Sequence, residues 1–178
     1  MTENFGAVIL CGGHSRRMGV SKATLPFGDE MMLQRMVRLL SDVATPLVVV
    51  AAATQELPSL PVHVRVARDA RESRGPLEGL AAGLRAVADE VDAVYATSCE
   101  VPLLVPGFVK GLSHLLYPDD QIVVALDDRY YHPLGALYRF CVLLAIDDCL
   151  RQDRLRPAFL FQSVRTREVP VESLRDVD

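Results

Sequence analysis

A glycine-rich, basic segment near the start of the chain contains the residue types that bind phosphate groups. It covers residues 12–28 and contains Arg16, Arg17 and Lys22, and residues 4–28 include five of the eleven glycines and no acidic residue. Glycines let backbone amides approach a phosphate without an intervening Cβ, and arginine and lysine supply fixed positive charge. The segment therefore predicts an anion site. A tight turn with solvated arginines is the alternative.

Two acidic residues farther along the chain follow predicted strands. Asp69 comes after the alternating segment 62–67, and Glu100 comes after the apolar run 93–98. Ligands of parallel sheets bind beyond the carboxyl ends of the strands, where carboxylates can hold a metal or accept hydrogen bonds. A strand-end acid that bonds only to local amides is the alternative for each. With the basic segment, the pattern favours a magnesium nucleotide as ligand.

Two common phosphate-binding motifs do not fit this segment. The Walker A pattern needs a glycine directly before its lysine, whereas two residues separate Gly19 from Lys22. The dinucleotide fingerprint needs G-x-G-x-x-G at the start of a helix, and the spacing of Gly12, Gly13 and Gly19 differs from it. Ordinary ATPase and NAD chemistry are therefore not expected.

Strand and helix patterns alternate along the chain and predict an α/β fold. Strands are expected at residues 6–11, 46–53, 62–67, 93–98, 121–126 and 164–170. Helices are expected after a cap at Asp29, from Pro76 onward, and at residues 108–116 and 140–150. This alternation implies right-handed βαβ units in a mostly parallel sheet, with a small antiparallel excursion after residue 127. No linker divides the sequence, so residues 1–178 are expected to form a single domain.

Composition excludes several other classes of protein. The 178 residues include 19 Lys+Arg and 23 Asp+Glu, and this net charge of −4 argues against nucleic-acid binding. Half of the residues are hydrophobic, which excludes a disordered chain. No apolar stretch approaches the roughly 18 residues of a membrane span, and the start lacks the basic region of a signal peptide. The cysteines show no metal-ligand spacing and favour reduced thiols in the cytoplasm: Cys11, Cys99, Cys141 and Cys149.

The basic segment also resembles a known family. LCGGHSRRMG at residues 10–19, with Lys22, resembles the L-A-G-G-x-S-x-R-M-G-x-x-K motif of the MobA-type molybdenum cofactor guanylyltransferases, which belong to the nucleotidyltransferase superfamily. LPFGDEMMLQRMV at residues 25–37 is similar to the family's L-P-x-G-x-x-L-L-x-R-V, and GPLEG at residues 75–79 to its G-P-L-x-G. The resemblance extends to about Tyr138 and is strongest in the first loop.

The resemblance implies a three-layer α/β/α, Rossmann-like nucleotidyltransferase fold and a set of site residues. Arg17 and Lys22 would be catalytic, stabilising charge that develops on pyrophosphate. Asp69 would lie near the guanine and ribose, and GPLEG favours GTP over CTP because related cytidylyltransferases have a serine-containing sequence there. The nucleotide-binding residues implied are Leu10, Cys11, Gly12, Gly13, Ser15, Lys22, Asp69, Pro76, Leu77 and Glu100.

Besides the small-for-small change of alanine to Cys11, two departures from the family pattern affect the predicted site. Glu100 stands where the family's C-D-x-P motif has aspartate, and the resemblance makes it the ligand of Mg²⁺. The extra methylene of glutamate moves the carboxylate by more than ~1 Å, a displacement large enough to reduce catalysis. Residues 51–53 are alanines where the family often has an asparagine, so one base or ribose contact is expected to be missing.

These features predict an enzyme that transfers GMP from GTP to the terminal phosphate of molybdopterin cofactor and releases pyrophosphate. The implied partners are GTP, the molybdopterin acceptor, and other proteins of molybdenum cofactor biosynthesis or molybdoenzymes, with no nucleic acid or membrane. Two alternatives stay open. One is a nucleotidyltransferase that uses another nucleoside triphosphate or phosphorylated acceptor, and the other is a nucleotide-binding protein with impaired catalysis.

Overall fold

The computed structural model describes residues 4–12, 21–69, 74–88 and 90–174. Within these residues lie the strands β1 (Phe5–Leu10), β2 (Pro26–Phe27), β3 (Glu30–Met31), β4 (Leu47–Ala51), β5 (Val64–Arg68), β6 (Ala93–Ser98), β7 (Ile122–Asp127), β8 (Tyr130–Arg139) and β9 (Thr166–Pro170). The α-helices are α1 (Met32–Ser41), α2 (Pro76–Ala86), α3 (Pro106–His114), α4 (Leu143–Arg151) and α5 (Pro157–Ser163). Short 3-10 helices cover Lys22–Thr24, Phe140–Val142 and Val171–Leu174.

Seven of these strands form one sheet in the order β5-β4-β1-β6-β8-β7-β9. The neighbours pair in parallel except around β8, which runs antiparallel to both β6 and β7. β8 forms a hairpin with β7 and inserts between β6 and β7, which confirms the predicted antiparallel excursion. The two-residue strands β2 and β3 form a separate small hairpin.

Helices cover both faces of the sheet, so the expected three-layer α/β/α architecture is confirmed. Alternating residues of β1 enter opposite cores: Ala7 and Ile9 pack with α1 and α3, whereas Val8 and Leu10 pack with α2, α4 and α5. A strand covered on both faces needs apolar residues at every position. This requirement explains the continuous apolar run at residues 6–11.

One local expectation is wrong and one helix lacks a sequence signal, each for a physical reason. Asp29 does not cap a helix but lies in the turn between β2 and β3, where Gly28 has a φ of 64° that favours glycine. Helix α1 begins at Met32 instead, and the Met31 amide donates to the side-chain oxygen of Gln34. Helix α5 was not predicted, because its seven residues are too few to show a clear helical period.

The helices in the described part of the chain are too short or too polar to cross a membrane.

Helix α2 packs unusually closely on β1, and this contact gives a test of the fold. A Cβ added to Gly83 would lie 2.4 Å from Cγ1 and 2.8 Å from Cγ2 of Val8. We expect Gly83→Ala to lower the free energy of unfolding by about 1–3 kcal/mol, because overpacking outweighs the better helix propensity of alanine. Urea denaturation measures this change.

The double variant Val8→Ala/Gly83→Ala serves as the control. Val8→Ala removes the methyl groups that the new Cβ would contact. The losses of unfolding free energy in the two single variants should therefore sum to more than the loss in the double variant. Additive losses would contradict the contact.

Candidate active site

The carboxyl end of β1 lies where the strand order reverses direction. β4 flanks β1 on one side and β6 on the other, and such switch points form the ligand crevice of open α/β sheets. Leu10 pairs with Val50 and with Ser98, so the three strands end at one level. The pairing continues one residue farther, because the Cys11 amide donates to Val50 O at 2.8 Å and the Cys99 amide donates to Leu10 O at 3.2 Å.

An ion pair joins two of the predicted site residues across this crevice. Lys22 begins a 3-10 helix within the basic segment, Glu100 follows β6, and Lys22 Nζ lies 2.7 Å from Glu100 Oε2. The two side chains are 35% and 50% exposed, and ion pairs at this level of exposure contribute only about 0–1 kcal/mol. A phosphate and a cation can therefore replace the two partners at little cost.

Asp69 approaches the crevice from the end of β5, where its amide donates to Ala51 O at 2.9 Å. Its carboxylate lies against two glycines. A Cβ on Gly12 would be 2.8 Å from Oδ2, which is too close unless the carboxylate shifts. A Cβ on Gly79 would be at ordinary van der Waals distance from Oδ1, 3.4 Å, and would instead crowd Leu10 Cδ2 at 3.1 Å.

The same carboxylate has unused hydrogen-bonding capacity. Asp69 Oδ1 is buried and has no hydrogen-bond partner among the described residues. Burial, followed by the negative charge of Glu78, raises the pKa of Asp69 above its usual value. A buried acceptor without a partner is costly, so an N–H or O–H donor of a ligand would be favourable here.

The remaining predicted residues divide into three groups. Leu10 and Cys11 are buried at the end of β1, and a hydrogen bond to Cys99 followed by burial raises the pKa of the Cys11 thiol. Pro76 begins α2, and Leu77 is 1% exposed and packs in the core beneath this helix. Gly13, Ser15 and Arg17 lie outside the described residues.

The structure also brings in residues that the sequence analysis did not select. Arg35 Nε donates to Pro102 O at 2.5 Å and its Nη1 lies 3.1 Å from Glu30 Oε1, which connects the Glu100 loop to α1. The Gln55 amide donates to both Cys11 O and Ser21 Oγ. Counted from Leu25, the second family motif has its R at Gln34, so Arg35 lies one residue beyond it, and no pattern in the sequence distinguishes Gln55.

The carboxylate of Glu100 is suited to a metal ion that enters the site bound to a nucleotide. Among the described residues, no group of three or more His, Cys, Asp or Glu side chains is arranged to hold a metal ion. Glu100 offers one accessible carboxylate, and Mg²⁺ usually takes only one or two carboxylates together with water and substrate phosphates. This donor set therefore fits a metal bound mainly by the triphosphate.

The chain is similar to a known protein family and to several named proteins. The profile of the MobA-like NTP transferase domain matches residues 7–166. The chain is 41% identical over 144 residues to the probable molybdenum cofactor guanylyltransferase of Mycobacterium avium (strain 104), which covers 79% of this chain and 72% of that protein. The corresponding protein of Mycobacterium tuberculosis (strain ATCC 25618 / H37Rv) is 38% identical over 141 residues, which cover 78% of this chain and 69% of that protein.

A solved structure shares the fold. Molybdopterin-guanine dinucleotide biosynthesis protein A from Archaeoglobus fulgidus matches with a TM-score of 0.76 at 19% identity, over 97% of this chain and 87% of that chain. The likeness confirms the nucleotidyltransferase fold that the sequence predicts.

The raised pKa of Asp69 predicts how stability depends on pH. Because the folded protein holds this proton more tightly than the unfolded chain, the contribution of Asp69 is full below about pH 4 and declines as the pH rises through the folded pKa. Asp69→Asn should therefore become more stable than the wild type near neutral pH, by up to about 1 kcal/mol, since partial exposure reduces the burial penalty.

Urea denaturation between pH 4 and pH 7 tests this expectation. The matched control is Asp29→Asn, at an exposed turn residue, measured over the same pH range. A wild type that gains stability relative to Asp69→Asn as the pH rises would contradict the account of this carboxylate.

Proposed function

This chain belongs to the MobA-like NTP transferase domain family, and on that premise we propose that it transfers GMP from GTP to the terminal phosphate of molybdopterin cofactor and releases pyrophosphate. The observation that carries the proposal is the ion pair of Lys22 and Glu100 at the switch point of the sheet. A cation for phosphates and a carboxylate for a metal lie side by side there. The alternatives with another substrate or with lost activity have no comparable support.

In this proposal Lys22 binds the triphosphate. Its ammonium group stabilises the negative charge that develops on the departing pyrophosphate, a type of interaction that often contributes most to catalysis. Arg17 and the backbone of Gly12, Gly13 and Ser15 act on the same phosphates, as the family motif implies. Since an ion pair at this exposure is weak, Lys22 can leave Glu100 when the nucleotide enters.

Glu100 is the residue that would hold Mg²⁺. When bound, the metal neutralises charge on the triphosphate and orients the α-phosphoryl group for in-line attack. Arg35 supports this residue through its hydrogen bond to Pro102 O, two residues farther along the chain.

Asp69 would bind the guanine or the ribose, because its buried oxygen, which has no partner in the described part of the chain, matches their N–H and O–H donors. Gly12 and Gly79 keep the space around this carboxylate free of side-chain atoms. The acceptor needs no catalytic base, since a phosphate monoester is already ionised at neutral pH.

Pyrophosphate release tests the proposal directly. With purified protein, GTP, Mg²⁺ and molybdopterin cofactor, we expect turnover by the wild type and a loss of about 10²–10³-fold in both Glu100→Gln and Lys22→Met. The matched control is Glu56→Gln, at an exposed residue between β4 and β5, which should retain wild-type turnover. No pyrophosphate above background from the wild type would end the guanylyltransferase proposal.

Nucleotide choice gives a separate test by thermal unfolding with Mg²⁺ present. A ligand at 100 times its Kd stabilises the folded state by about 2.7 kcal/mol, which corresponds to roughly 5–10 °C for a chain of this size. We expect GTP to raise the Tm more than CTP or ATP at equal concentration. Equal or larger shifts with CTP would favour a different nucleotide substrate.

A further inference from the structure

One glutamine lies at the base of the predicted phosphate-binding loop. Gln55 Nε2 donates to Cys11 O at 3.1 Å and to Ser21 Oγ at 2.9 Å. Cys11 precedes Gly12 and Ser21 precedes Lys22, so the two acceptors adjoin the residues at the two ends of the loop. A single amide group therefore joins the residues at which the loop begins and ends.

The orientation of this amide is fixed by its other contacts. The Ala52 amide donates to Gln55 Oε1 at 3.2 Å, which leaves both Nε2 hydrogens for the two loop ends. Arg68 Nη1 donates to Ala52 O at 2.9 Å and to Gln55 O at 2.7 Å, which holds the backbone of the turn after β4. The turn is thus attached to β5, the strand that ends at Arg68 directly before Asp69.

These contacts distinguish a positioning role from a role in reading the base. Both Nε2 hydrogens of Gln55 are donated within the protein, so the side chain has no free donor for a base. Holding the ends of a loop in place lowers the entropy that a ligand must remove when it binds. The expected effect of Gln55 is therefore on nucleotide affinity.

We propose that Gln55 is a positioning residue that ties the ends of the phosphate-binding loop together and so places Gly12 and Lys22 for the nucleotide. The inference rests on the proposed function, because it takes residues 12–22 to be the loop that binds GTP. The hydrogen bonds of Arg68 to Ala52 O and Gln55 O also connect the turn that contains Gln55 to β5, the strand directly before Asp69.

Steady-state kinetics separates this role from simple packing. Gln55→Ala should raise the KM for GTP about tenfold and change kcat less than about threefold, because it removes hydrogen bonds that organise binding. Gln55→Glu keeps the shape of the side chain but loses both donors, so it should raise KM at least as much. A wild-type KM in Gln55→Glu would show that only shape matters and would overturn the proposal.

Ser21→Ala tests the coupling between the two partners. It removes one of the two loop contacts, and the KM of Gln55→Ala/Ser21→Ala should rise by less than the product of the two single effects. It also provides the test if Gln55→Ala folds poorly. The matched control is Gln162→Ala, at an exposed glutamine of α5, which should behave as wild type.

Amide hydrogen exchange without nucleotide gives a readout that does not depend on catalysis. The Thr24 amide donates to Ser21 O at 3.1 Å. The ratio of its exchange rate to that of the Ala44 amide, which donates to Leu40 O at 2.9 Å, should be several times higher in Gln55→Ala than in the wild type. An unchanged ratio would overturn the proposal. If the wild type shows no GMP transfer, the proposed function fails, but this ratio still decides whether Gln55 holds the loop.

Discussion

Leu10 of β1 pairs with Val50 on one side and with Ser98 on the other, and this shared register determines where the functional groups lie. Parallel strands that end at the same level present the following residues at one edge of the sheet. The segments after β1, β4, β5 and β6 therefore meet there, although up to about 90 residues separate them in sequence. A shift of β1 by one residue would turn its side chains to the opposite cores and separate the site.

The site is arranged around charges that the described residues do not fully satisfy. Lys22 and Glu100 are paired but half-exposed, and Asp69 is partly buried with one oxygen that has no partner among those residues. A magnesium nucleotide would offer phosphates to the lysine, a cation to Glu100 and hydrogen-bond donors to Asp69. The buried oxygen of Asp69 and the weakness of the ion pair are thus both consistent with a site that is completed by its ligand.

The sequence predicts the elements of this site better than their contacts. β6 and the start of α2 follow from local signals, namely an apolar run and Pro76 at the first turn. The turn position of Asp29 could not be predicted, because a cap and a turn favour the same residue types. The two bonds of Gln55 could not be predicted either, since its partners Cys11 and Ser21 lie 44 and 34 residues away.

The central claim is that the ion pair of Lys22 and Glu100 separates when the nucleotide binds. Lys22 then contacts the phosphates and Glu100 contacts the metal. A crystal structure of the protein with GTP and Mg²⁺ tests it most directly. The account predicts Lys22 Nζ within about 3 Å of a phosphate oxygen, and a Glu100 oxygen about 2.0–2.1 Å from Mg²⁺. A bound nucleotide beside an intact pair, with Nζ still 2.7 Å from Oε2, would contradict it.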